Sequence, residues 1–220
     1  MQLNRPKTGS KLAGRLSLAV VLFLVCPGPM YSLDPPYSFD PPEASAGIAL
    51  DGHPVQQLAP PGARLVVLIF AATDCPISNR YIPEITRLEA EFKPQGVAIW
   101  WVFPNPGDTL SAVRKHGQDY SIATPTLIDD KQSLVRMAHV SVTPEAAVFA
   151  VENGNLRELY HGRIDDRYIA FGKERPQAAH HELHQAIEAA LAGKPIPKPV
   201  AGPIGCSIIP LNPPTAEHAP

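Results

Sequence analysis

Apolar and polar positions alternate along the chain in blocks that change period. From Ala63 to Ala72, "ARLVVLIFAA" is unbroken and β-branched, which predicts a strand buried on both faces. Past it the spacing lengthens: Ile77, Tyr81, Ile82, Ile85, Leu88 and Phe92 recur every three or four residues, predicting a helix over roughly 76–93. "GVAIWWVFP" (96–104) predicts a second buried strand, with Trp100 and Trp101 pointing into opposite layers. Asp108 reads as the N-cap of a helix reaching Lys115 or His116. "TPTLIDD" is a short strand and "KQSLVRMAHV" a short helix. "EAAVFAVENGNLRELYHGRI" is a hairpin turning at Asn153-Gly154, and "QAAHHELHQAIEAALAG" is a last helix closed by Gly193. Upstream, Asp51-Gly52 in "GIALDGHPVQQL" predicts an N-terminal β-hairpin. The order is that of an α/β domain: a mixed central sheet with helices on both faces.

The ends read differently. Arg5, Lys7, Lys11 and Arg15 precede "LSLAVVLFLVC" (16–26) and the turn-forming "PGPMYS", the layout of an export signal over 1–32 with Cys26 in the removed part. The apolar run is shorter than the roughly 20 residues of a spanning helix; left uncut, it is a membrane anchor. A Pro-rich lead-in (33–46) and a Pro-rich, extended tail (194–220) flank a single domain at 47–193. The mature chain keeps two cysteines, Cys75 and Cys206, in a periplasmic or secreted setting where disulfides persist. A formal charge of −2 over 220 residues argues against nucleic acid or anionic membrane as a partner.

Candidate chemistry centres on "AATDCPISNRYIPEI" (71–85). Cys75 falls at the strand-to-helix junction, where backbone N–H groups and the helix dipole favour a thiolate; Asp74 opposes it. Pro76 suits the first helical turn. Ser78 stands where a C-x-x-C motif has its second cysteine; it either donates to a Cys75 thiolate or fills an exposed first-turn position. Cys206 has three readings: it resolves Cys75, bridges to another chain, or is a structural half-cystine. A bridge to Cys75 closes a long span, worth about 4–5 kcal/mol in the chain-entropy model. "GRIDDR" is either a solvated turn or a salt-bridged platform from which Arg163 steers an acidic or peroxidic substrate. His180 and His184, four apart, are a weak metal pair without a clear third ligand, and no cofactor is called for.

These residues resemble the thioredoxin-like superfamily. The strand–Cys–helix order, Pro83 eight residues after Cys75, and Pro144 ahead of a strand in "SVTPEAAVF" carry the likeness over roughly 46–192. "VVLIFAATDCP" after an Asp-Gly hairpin looks like the secreted redoxin branch, which includes thiol-specific antioxidant proteins and membrane-facing thiol–disulfide oxidoreductases. "TDCPISNRYIPEI", "HGRIDDRYIAFGKERP" and a late "GC" look like a group of secreted bacterial redoxin-like proteins. The resemblance implies a cis-proline at Pro144, a wall of Thr143 and Pro144 facing Cys75, and a Thr143 backbone that pairs with extended substrate, with Thr73 and Pro76 beside it. Between Cys75 and Pro144 the chain is longer than in a minimal thioredoxin, and the strand and helix across 96–117 are taken to account for the excess. Three departures stand out. There is no C-x-x-C; Ala72 and Leu68 occupy the Thr and Pro positions of peroxiredoxins, with Thr73 one residue out of register; and Asn79 replaces the second cysteine of copper-delivery relatives. The implied activity is an exported thiol–disulfide oxidoreductase acting through Cys75, resolved by Cys206 or an external thiol, on protein or small-molecule thiols and disulfides. The alternatives are a thiol peroxidase, or a non-catalytic or metal-handling partner of exported, membrane-associated electron-transfer proteins with a permanent Cys75–Cys206 bridge.

Overall fold

A computed structural model describes residues 45–211. The export signal, Cys26, most of the Pro-rich lead-in and the last nine residues lie outside the described residues.

The chain runs β1 (Ile48–Ala49), β2 (Leu65–Phe70), α1 (Pro76–Phe92), β3 (Val97–Phe103), α2 (Leu110–Asp119), β4 (Thr126–Ile128), α3 (Ser133–Met137), β5 (Val142–Thr143), β6 (Glu145–Glu152), β7 (Asn155–Gly162), β8 (Tyr168–Ala170), β9 (Lys173–Glu174), α4 (Glu182–Leu191) and β10 (Cys206–Ser207). Six strands form one mixed sheet in the order β1-β4-β3-β2-β6-β7. β2, β3 and β4 are parallel; β6 and β7 return antiparallel through the Asn153-Gly154 turn. The unbroken apolar run of β2 explains its central place. Leu65, Val67 and Ile69 join the core under α1 and α4, while Val66, Leu68 and Phe70 join a second core with Leu134 of α3 and Phe149 of β6. The strand is fully buried on both sides. The α1 periodicity holds residue by residue, since Ile77, Tyr81, Ile82, Ile85, Leu88 and Phe92 are all buried.

Several expectations need correction. β3 lies between β2 and β4 in the middle of the sheet, not at its edge. The N-cap of α2 is Thr109, whose hydroxyl accepts from the Ala112 N–H at 3.2 Å, and the helix runs on to Asp119. Asp108 is turned inward instead. The chain does fold back at Asp51-Gly52, with Ala46 N–H donating to Val55 O at 2.7 Å, Val55 N–H to Gly47 O at 2.8 Å and Ala49 N–H to His53 O at 2.9 Å, but Pro54 lacks the N–H for a continuous ladder, so β1 has its regular strand pairing with β4. α4 starts at Glu182, later than the apolar spacing suggests, because the Asp166 carboxylate takes the Ala179 and His180 N–H groups at 2.6 and 3.0 Å.

That last contact belongs to the GRIDDR segment, which is not a solvated turn. Asp165 and Asp166 are buried. Asp165 accepts from the Tyr81 hydroxyl at 2.5 Å, tying this loop to the first turns of α1. Asp166 is paired with Arg175 at 2.9 Å, and Arg163 is clamped onto Glu182 through its Nε at 2.8 Å. The cluster fixes where α1 and α4 sit relative to the sheet.

Candidate functional site: a thiol pair at the start of the first helix

β2 ends at Phe70, and five residues later Cys75 occupies the N-cap of α1 in an extended conformation, with Pro76 opening the helix. A long helix therefore points its N-terminal dipole at the sulfur, with no acidic residue in the first turn to oppose it. The loop before Cys75 is pinned from below. Asp108 Oδ1 accepts from the Thr73 N–H at 3.0 Å and from the Thr73 hydroxyl at 2.6 Å. Asn79, one turn into α1, meets the buried His116 of α2 at 2.8 Å. The Asp108 carboxyl is held above the usual carboxylate range by burial, partly countered by the two Thr73 bonds; burial holds His116 below its ordinary value.

The opposite wall is β5 and the cis Thr143–Pro144 peptide. Cys75 Sγ lies 3.1 Å from the Thr143 carbonyl oxygen. The tail closes the remaining side. β10 pairs antiparallel with β5, with Cys206 opposite Thr143 and Ser207 opposite Val142. The two sulfurs are 2.9 Å apart as free thiols, beyond a bond of about 2.05 Å but in contact. Gly205 makes this approach possible: a Cβ there would sit 2.2 Å from the Thr143 carbonyl oxygen and 3.1 Å from the Pro144 nitrogen. Beyond Cys206, the Ile208 N–H donates to Ser141 O at 3.0 Å and the Ile208 side chain is buried in the core shared with β2 and β6. A clasp follows. Asn105 Oδ1 accepts from the Ile209 N–H at 2.9 Å, while Gln132 Nε2 donates to Ile209 O at 2.6 Å and to Pro104 O at 3.1 Å.

The two thiols are electrostatically unequal. Burial pushes the Cys75 thiol up, but hydrogen bonds from the Cys206 thiol, from the side chain and backbone of Ser78, and from the Thr143 side chain together bring it below its ordinary value. The Thr143 carbonyl accepts from the neutral thiol and pulls the other way, without reversing the balance. Cys206 is pushed up to about 12, first by burial, then by its hydrogen bond to Cys75 and by the charges of Cys75 and Asp74. The pair is a donor–acceptor couple in which Cys75 is the thiol that ionises first.

Exposure is unequal too. Cys75 is 1% exposed with the tail docked, whereas Cys206 is partly exposed and Pro76 is on the surface. Ser78 is buried rather than filling an exposed turn, and among the described residues its hydroxyl makes no hydrogen bond of ordinary geometry, which leaves it available to a thiolate at Cys75. Thr73 gives its hydroxyl to Asp108 and not to the sulfur. Arg163 stays with Glu182, so its guanidinium is not free to meet a substrate. His180 precedes α4 instead of lying one turn before His184 on it. His184 packs on Phe92 and pairs with Glu91 at 2.8 Å. Among the described residues, no group of three or more metal-ligating side chains converges. No helix among them is long and apolar enough to cross a membrane.

Residues 43–160 match the model of the AhpC/TSA family. The chain belongs to that family. The fold is thioredoxin-like: an uncharacterized conserved protein from Geobacillus kaustophilus superposes with TM-score 0.60 at 24% identity, covering 74% of this chain and 87% of its own. A hypothetical protein from Sinorhizobium meliloti 1021 superposes with TM-score 0.61 at 22% identity, covering 75% and 92%. No curated protein matches the chain. Within this family, Ala72 and Leu68 leave the position before the sulfur without the Thr and Pro of peroxiredoxins, and the tail strand covers Cys75 from outside the matched span.

Sequence reasoning missed Asp108, Gly205, Gln132 and Asn105. Gly205 was visible as half of "GC", but its close contact depends on a strand pairing 62 residues away in sequence. Gln132 sits at positive φ before a five-residue helix, and nothing in its spacing marks it as a clasp.

Proposed function

We propose that this is an exported thiol–disulfide oxidoreductase in which Cys75 is the attacking thiol and Cys206 resolves it within the same chain. The observation that supports it most is the 2.9 Å contact of the two sulfurs, made by a tail strand docked on Thr143. With the tail lifted, the Cys75 thiolate attacks one sulfur of a substrate disulfide. A Cys75–substrate bond forms, the substrate's own S–S bond breaks, and the released thiolate takes a proton from solvent. The negative charge that held Cys206 protonated is then gone, and Cys206 loses its proton as the tail returns. It attacks Cys75 Sγ, closes the Cys75–Cys206 bond and expels the second substrate thiol. The protein's dithiol is oxidised and the substrate disulfide reduced; an external thiol restores the dithiol. Thr143, Pro144 and Pro76 form the rim against which substrate lies. Ser78 donates to the thiolate. Thr73, held by Asp108, sets the loop.

Disulfide exchange is favoured over peroxide reduction because the Thr73 hydroxyl is committed to Asp108 and not to the sulfur. The test is reduction of a protein disulfide such as insulin's by the mature chain with a thiol donor. Cys75→Ser is expected to lose turnover entirely, and Cys206→Ser, mixed with the substrate before any thiol donor is added, to stop at a mixed disulfide on Cys75. Turnover by Cys75→Ser, or faster oxidation of Cys75 by hydrogen peroxide than by disulfide, overturns the reading.

A further inference from the structure

The reaction above needs an external thiol to reopen the Cys75–Cys206 bond, and the two sulfurs offer it very different targets. We propose that the reductant enters at Cys206, so that the thiol pair has two doors: substrate is held on Cys75 and reductant on Cys206. This rests on the reading of the pair as a catalytic dithiol.

The geometry behind it is the docked tail. β10 lies along β5 with Cys206 opposite Thr143, and a bond between the sulfurs holds that strand in place. In this arrangement Cys75 is 1% exposed, walled by the N-terminus of α1, the Thr143 carbonyl and the tail itself. Cys206 is half-buried, packed in part against the first core, and unlike Cys75 keeps part of its surface in solvent. The segment leading into it, from Lys194 to Gly205, forms no helix or strand, and Gly205 carries no side chain to shield the sulfur that follows. Attack on a disulfide is governed by access to the sulfur struck and by the stability of the thiolate expelled. Both conditions select Cys206 as the sulfur struck and Cys75 as the one expelled, because the helix N-terminus and Ser78 already favour charge on Cys75.

The balance is as follows. The reductant thiolate attacks Cys206 Sγ and forms a reductant–Cys206 bond. The Cys75–Cys206 bond breaks, and its electron pair stays on Cys75 as thiolate. A second reductant thiol then attacks the reductant's sulfur in that mixed disulfide. The reductant leaves as its own disulfide, and Cys206 leaves as thiolate and takes up a proton. Two thiols are oxidised, one protein disulfide is reduced, and Cys75 emerges already ionised for the next substrate. The tail, no longer bonded to Cys75, is free to lift.

The experiment uses the wild-type mature chain. It is first oxidised with diamide, and peptide mapping establishes whether Cys75 and Cys206 are joined. If they are not, the reading of the pair as a catalytic dithiol fails, and the entry question falls with it. If they are, the oxidised protein is mixed with excess glutathione, quenched in acid at increasing times, alkylated, and mapped for the cysteine carrying glutathione. Extrapolated to zero time, glutathione is expected on Cys206 in at least tenfold excess over Cys75, with Cys75 alkylated. Glutathione on Cys75, or an even division between the two, overturns the two-door proposal while leaving the dithiol itself intact.

Discussion

The loop and helix that carry Cys75 lean on the core, whereas the segment that carries Cys206 leans on a strand edge. On the first side, α1 buries six large apolar residues, the Tyr81 hydroxyl reaches the buried Asp165, and Asp108 fixes the loop through two bonds to Thr73. On the second side, a two-residue strand, one buried isoleucine, partly buried Ile204 and Cys206, and a clasp by Asn105 and Gln132 hold the tail. Breaking the first side disturbs the domain; breaking the second releases a sulfur. The difference suits a reaction in which one thiol must keep its place at a helix terminus and the other must leave and return.

The sharpest way to break this comparison is Gly205→Val. Its side chain runs into the Thr143 carbonyl, a backbone atom that has no room to yield, so β10 cannot dock in its present register. The effective concentration of Cys206 at Cys75, measured by redox equilibrium against glutathione, is expected to fall about a hundredfold or more. Thermal stability of the reduced protein is expected to stay nearly unchanged, since the core is untouched. An unaltered equilibrium would mean that the tail does not act through this strand pairing.

Where the two sides differ is also where the sequence is readable or silent. The Cys75 side was legible because its signals are local: the period change from β2 to α1, Pro83, and a cysteine at the junction all lie within a few turns. Pro144 was legible because a known fold supplied its partner. The Cys206 side depends on pairings across 63 to 104 residues, such as Thr143 with Cys206 and Asn105 with Ile209, and no periodicity encodes them. Asp108 failed for a related reason. An aspartate before an apolar run reads as a cap, yet the next residue, Thr109, can cap as well, and tertiary contact with Thr73 decided between them. Arg163 was misread because a charged cluster gives no sign of being buried, while here Glu182 answers it from another element.

A complementary substitution on the rigid side is Asp108→Ala. It leaves the Thr73 N–H and hydroxyl without their acceptor in a largely buried place, and global stability is expected to fall by about 1–3 kcal/mol in denaturant unfolding. Asp108→Asn keeps an oxygen for Thr73 and avoids an ionised group where burial disfavours one. The raised carboxyl contributes most to stability below its unfolded value, and that contribution is lost as pH climbs through the folded one. At neutral pH the asparagine variant should therefore lie well above the alanine variant. Equal losses in both would show that the Thr73 bonds are not what Asp108 supplies.

The smallest effect separates the two thiols themselves. Thiolate formation, followed by its ultraviolet absorbance as pH is raised, is expected in two macroscopic steps in the reduced mature protein. The first is lowered from the ordinary cysteine value and belongs mainly to Cys75; the second is near 12 and belongs mainly to Cys206. The sign of the coupling follows from who donates. The Cys206 thiol gives its proton toward Cys75, so it stabilises charge there, and that charge in turn holds the proton on Cys206. Cys206→Ala removes the largest of the hydrogen bonds that lower Cys75 while sparing the backbone pairing of β10, which uses no side chain. The high step disappears and the remaining step moves up. A remaining step that holds its place would assign the low value to the helix N-terminus and Ser78 alone, and would reduce Cys206 to a resolving sulfur with no part in activating its partner.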